Sequence, residues 1–160
     1  MPGSPCVIDY THQFRFAVPP AELWAAIEST DRFEGWWGWL HDFQLEGPGL
    51  ASGSVLRGIV APPLPYRMAL NVVLSNCRRP HQIDAEVHGD LEGVARLVLD
   101  PDGKGTQASV SWRIEMMQRP MRIAARYARP VLCWGHDRVV DVTVASFRRH
   151  IESVGTGDAA

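Results

Sequence analysis

Apolar and polar residues alternate from Val7 to Val18, with Tyr10, His12, Phe14, Phe16 and Val18 on one side and Asp9, Thr11, Gln13 and Arg15 on the other. A period of two predicts a half-buried strand. Pro19-Pro20 ends it, and Pro20 suits the first position of a helix over 21–29, with Glu22 near its positive end and Leu23, Trp24 and Ile27 as its buried stripe. Thr30 or Asp31 can cap a second short helix, to about Leu40, that carries Phe33, Trp36, Trp37 and Trp39. Beyond it the pattern predicts six strands, over 42–46, 54–61, 66–76, 82–89, 93–100 and 107–117, punctuated by Gly-, Pro- and Asp-rich turns. In two of them the inner face is plain: Ile83, Ala85 and Val87 oppose Gln82, Asp84, Glu86 and His88, while Val110, Trp112, Ile114 and Met116 oppose Ser109, Ser111, Arg113 and Glu115. One greasy and one wet face describe an antiparallel sheet covered on one side. The period then changes to 3.6. From Pro130 to about Val154, residues Cys133, His136, Val140, Thr143, Val144, Phe147, Ile151 and Val154 share one helical face, opposite Asp137, Arg138, Asp141, Arg148, Arg149 and Glu152.

This order predicts an α+β fold: a curved antiparallel sheet of about seven strands wrapped round a long C-terminal helix, with two short helices between the first and second strands. A helix gripped by a bent sheet leaves room for a cavity between them. The chain reads as one domain over 1–160 with an ordered core at about 7–154 and loose ends at 1–5 and 155–160. Its landmarks are the opening strand and helix from Phe14-Arg15-Phe16 through Val18-Pro19-Pro20 to Leu23-Trp24 and Ile27, then Gly35-Trp36-Trp37-Gly38-Trp39, Pro62-Pro63-Leu64-Pro65-Tyr66 and Gly89-Asp90-Leu91-Glu92-Gly93. With these, the chain from Val7 to Val154 resembles the polyketide cyclase/dehydrase branch of the START-like, or Bet v 1-like (SRPBCC), superfamily. The resemblance implies a helix-grip fold around a hydrophobic cavity. It also implies a choice among ligand carriers, lipid-transfer domains, aromatase/cyclases and chaperone-associated modules, because one architecture hosts unrelated functions.

Composition narrows the classes. Sixteen basic and 18 acidic residues give a net charge of −2 with no electrostatic footprint for nucleic acid. Cys6, Cys77 and Cys133 are far apart and lack zinc or redox spacing, which points to a reducing cytoplasm. No signal peptide is expected at Met-Pro-Gly-Ser-Pro, and no apolar run reaches the ~18 residues of a membrane span. No metal or organic cofactor is implied, since phosphate loops, metal-ligand spacings and nucleophile elbows are missing from the sequence.

The candidate chemistry is sparse. His136 points to the buried side of the last helix, where an imidazole can exchange a proton with a ligand carbonyl or phenol. The alternative is a core histidine satisfied by a backbone carbonyl or a tyrosine. Arg57 alternates with Val55 and Ile59, and inward it would steady a carboxylate or enolate with Glu46 as its acid; outward it is an ordinary surface residue. Tyr66, after a rigid proline turn, offers a phenol to the cavity or a structural hydrogen bond. Trp36, Trp37, Trp39, Trp112 and Trp134, with Val140, Thr143 and Phe147, are the expected ligand-binding set, against the plainer reading of packed core. Arg119, Arg122, Arg126 and Arg129, interleaved with Met121, Ile123 and Tyr127, suggest either a basic amphipathic lid before Pro130, suited to an anionic membrane or a carrier protein's phosphopantetheine, or a solvated loop or helical turn. Binding of a hydrophobic lipid, polyketide or isoprenoid leads. A polyketide cyclase/dehydratase comes second, with His136 as acid/base and Arg57 or Tyr66 steadying the enolate, and a chaperone-associated interaction module third. A second copy of the chain and an acyl carrier protein are the candidate protein partners.

Overall fold

The computed structural model describes residues 7–62, 67–117 and 119–157, the end of the last helix and parts of its beginning as backbone only. Seven strands form one sheet: β1 (Val7–Phe16), β2 (Leu40–Glu46), β3 (Val55–Val60), β4 (Met68–Arg78), β5 (Gln82–Gly89), β6 (Leu91–Asp102) and β7 (Gly105–Met116). Helix α1 (Pro20–Glu28), a 3₁₀ turn (Thr30–Arg32) and helix α2 (Phe33–Trp36) lie between β1 and β2, and helix α3 (Arg119–Gly157) follows β7. All neighbours are antiparallel, in the order β1-β7-β6-β5-β4-β3-β2, so the first strand closes against the last. The expected α+β helix-grip architecture is present.

Local chemistry explains the bends. Gly89, at φ +114°, turns β5 into β6, and Asp90 locks that turn to β4 by accepting from the Ala69 amide at 2.7 Å. A Cβ at Gly93 would collide with the Arg113 carbonyl of β7, so only glycine lets these two strands approach. Register shifts between His41 and Gln44 in β2, where Asp42 adopts φ +52°, and between Leu74 and Asn76 in β4 bend the sheet as bulges do.

The core divides into two clusters. Phe16, Leu23, Trp24, Leu74, Ile83, Leu99, Phe147 and Ile151 fill one end, where α1 inserts Leu23 and Trp24, each only 1% exposed. Met68, Val87, Leu91, Ile114 and Met116 fill the other.

Two expectations change. The last helix begins at Arg119, eleven residues before Pro130, and takes that proline into its interior. The arginine segment is therefore part of α3 and neither a separate lid nor a loop. The helix also continues through Gly157, past the expected end at Val154. The second short helix stops at Trp36 instead of Leu40, because Trp37 already has extended backbone (φ −122°, ψ 102°). The expected loose end at 1–5 lies outside the described residues.

Candidate functional site

Between the concave face of the sheet and α3 lies a cavity of about 490 Å³. Every strand except β2 contributes to its wall, which is closed by Leu23 and Ile27 of α1, Trp37 and Trp39 after α2, and one face of α3 from His136 to Phe147. Period two explains the wall. Inward positions of β7 supply Ala108, Val110, Trp112, Ile114 and Met116, while β4 supplies Met68, Leu70 and Val72. Among the described lining residues none is charged, and polar side-chain atoms come only from three indoles, His136 and Thr143.

Each of those polar atoms is already engaged. The Trp112 indole N–H donates to His136 Nε2 at 3.0 Å. An indole nitrogen only donates, so Nε2 presents its lone pair and the ring proton sits on Nδ1, which donates to Asp137 Oδ1 at 3.1 Å. The imidazole, with its side chain 15% exposed, is thus tied on both nitrogens. Tyr10 stacks on Trp112 at 4.6 Å and meets His136 edge-on at 5.1 Å, completing an aromatic cluster at the cavity rim. Burial, then the nearby charges of Asp137 and Asp141, push the Tyr10 phenol above its ordinary range.

At the other rim two indoles tie the α2–β2 connection to α3. Trp37 donates to the Thr143 carbonyl at 3.2 Å and Trp39 to Thr143 Oγ1 at 2.9 Å, while that hydroxyl donates to the Val139 carbonyl at 2.6 Å. The rings of Trp37 and Trp39 stack 5.5 Å apart. The chain leaves the helix at Trp37 and turns over Gly38 and Trp39, where the Leu40 amide donates to the Trp37 carbonyl at 3.1 Å, and this turn holds the two indoles side by side.

The structure brings together part of the expected set. Trp37, Trp39, Trp112, His136, Val140, Thr143 and Phe147 line the cavity. Trp36 instead packs on Phe147 and His150, and Trp134 is 55% exposed on the far side of α3. Arg57 is not brought to the cavity. Leu56, packed on the core, and Val60, in the cavity wall, are the inward positions of β3, and this alternation turns Arg57 outward, where it is exposed and pairs with Glu46 at 3.2 Å. Tyr66 lies outside the described residues. Arg113 and His88 stand on the outer face as expected, paired with Asp9 and with Glu86 and Glu92. Tyr10 was missing from the expected site although its alternation with Phe14 and Phe16 signalled it; its register opposite Trp112 puts it there. Among the described residues no group of three or more His, Cys, Asp or Glu side chains is placed to hold a metal ion.

No protein-family model matches the sequence, and no curated protein matches it. Solved structures do. A protein of Thermus thermophilus, TTHA0849, superposes with a TM-score of 0.73 at 9% identity, covering 92% of this chain and 99% of the other. The ZhuI aromatase/cyclase of Streptomyces sp. R1128 gives 0.69 at 13% identity over 91% and 94% of the two chains. Norcoclaurine synthase of Thalictrum flavum, solved with a transition-state analogue, gives 0.63 at 10% identity over 93% and 96%. At such low identity what is shared is architecture: a seven-stranded antiparallel sheet closed on a long C-terminal helix, with short helices after the first strand. The chain has a helix-grip, Bet v 1-like fold, shared with solved structures that include the aromatase/cyclases ZhuI and BexL.

Proposed function

We propose that this protein binds a hydrophobic small molecule of the lipid, polyketide or isoprenoid class in the cavity between the sheet and α3. The observation that carries the reading is the combination of an apolar wall with polar side chains that, among the described residues, all have protein partners. Its volume falls in the ~300–1,000 Å³ range of small-molecule pockets. Such a wall rewards hydrocarbon, and among the described residues its side chains offer no free donor or acceptor to a polar substrate. Burying ~200 Å² of apolar ligand surface is worth about 5 kcal/mol before ordering costs.

A second reading, a polyketide cyclase/dehydratase, draws on the likeness to ZhuI and on His136 at the cavity wall. It requires Trp112 to release Nε2 so that the imidazole can act as acid or base on a poly-β-keto chain. Arg57 on the outer face adds nothing to that chemistry.

Native mass spectrometry of the full chain, incubated with a panel of fatty acids, isoprenoids and polyketide mimics, separates the two. Retention of an apolar molecule at unchanged mass is the expected result. Loss of water from a polyketide mimic, abolished in His136→Ala, would replace the carrier reading with the cyclase reading. Retention of nothing across the panel would overturn the carrier reading.

A further inference from the structure

The first half of α3 carries an apolar stripe that faces away from the cavity. Ile123 is 61% exposed, Tyr127 83%, Val131 49% and Trp134 55%. Steps of four, four and three residues keep these positions within about a quarter of the helix circumference over roughly 16 Å, on the side opposite His136. The body of the protein therefore leaves them uncovered, and large apolar side chains grouped on one face mark an interaction surface.

Charge identifies the occupant. Residues 116–136 contain four arginines and no acid, in a chain whose net charge is −2. At helical spacing the positions of Arg119 and Arg126 lie within about 60° of the stripe's edge at Ile123, whereas Arg122 and Arg129 fall toward the side that carries His136. An apolar stripe with a tyrosine and a tryptophan beside a basic flank has the chemistry of a helix lying in the headgroup region of an anionic bilayer. Among the described residues no helix is long and apolar enough to cross a membrane, so the contact is interfacial. A second copy fits less well. It would bring its own arginines against the first set, and four side chains fall short of the ~800 Å² per partner of a stable protein interface.

We infer that residues 119–134 of α3 form a docking surface for an anionic lipid membrane. Flotation of the full chain with phosphatidylcholine vesicles, with and without phosphatidylglycerol, tests it without any cavity ligand, so the outcome is independent of the carrier reading. Binding at least ~10-fold tighter to the anionic vesicles, weakening as salt rises, is expected. Arg119→Gln/Arg126→Gln should weaken it roughly 30-fold. Tyr127→Ser/Trp134→Ser should abolish it, while circular dichroism and the thermal midpoint stay unchanged because both side chains are exposed. Equal partitioning onto neutral and anionic vesicles, or no binding to either, would overturn the inference. So would a dimer that Tyr127→Ser/Trp134→Ser converts to monomer, or an acidic carrier protein bound through the same two residues in place of vesicles.

Discussion

The two faces of the sheet use polar groups in opposite ways. On the convex face they are abundant: Asp84 accepts from Arg96 at 2.6 Å, from Gln82 at 2.9 Å and from Asn76 at 3.3 Å, Asp9 pairs with Arg113, and His88 sits between Glu86 and Glu92. Water competes for most of these partners, so each pair holds little energy. On the concave face polar groups are few among the described residues, and each is engaged by a neighbour, as in the bonds from Trp112 to His136 and from Trp39 to Thr143. The same strand serves both faces: β5 alternates buried Ile83, Ala85 and Val87 with Asp84, Glu86 and His88. A dense array of ionisable residues thus marks the solvated side, and the candidate site is the side with the least visible chemistry.

The contrast can be broken hardest at Phe147, which meets Phe16 edge-on at 5.9 Å and Trp36 at 5.8 Å in the inner core. Phe147→Ala should cost about 3–5 kcal/mol in urea denaturation; a loss below about 1 kcal/mol would show that this end of α3 is not packed as described. Thr143→Val keeps the shape but takes the acceptor from the Trp39 N–H and the donor from the Val139 carbonyl. Denaturation should show a loss of about 1–3 kcal/mol, and a bound ligand should leave faster as the indole closure loosens. The smallest effect belongs to the outer face. Arg96→Gln should cost about 0.5 kcal/mol, since the arginine is more than half exposed.

That last variant also has a pH signature. Partial burial pushes the Asp84 carboxyl up, but the bonds from Arg96, Asn76 and Gln82 outweigh it and hold the group below its ordinary range. A depressed folded-state value contributes stability that is present above the unfolded value of about 3.9 and is lost as pH falls through the folded value. Arg96→Gln should shrink that contribution, so wild type and variant should differ at neutral pH and converge in strong acid. A difference that persists in acid would mean that Arg96 acts through packing.

Much of this arrangement was legible in the sequence because period two is a strong signal where one face is dry. Strand β5 begins and ends where the alternation does, and the inward residues of β7 are those that the pattern separates. The start of α3 was harder. Pro130 reads as a helix start, since a proline inside a helix loses one backbone donor, yet here the helix passes through it; the better signal was Pro120, at the second helical position. Arg57 was ambiguous because β3 is apolar on both faces, so only pairing with β4 sets which residues turn inward. The bond between Trp112 and His136 joins residues 24 positions apart on a strand and a helix. No local pattern encodes that distance; it follows from where α3 crosses the sheet.

The pairing of β1 with β7 sets a schedule for the nascent chain. Phe16 must find Thr106, 90 residues later, and Val7 must find Glu115. At synthesis rates of ~5–20 residues per second, β1 waits roughly 5–20 s on the ribosome for its neighbour. During that interval its edge and the row of Tyr10, His12, Phe14 and Phe16 have no β7 to lie against. The strand that opens the fold is among the last to be secured, and a ribosome stalled before residue 105 would leave it as a target for chaperones or for another chain's edge.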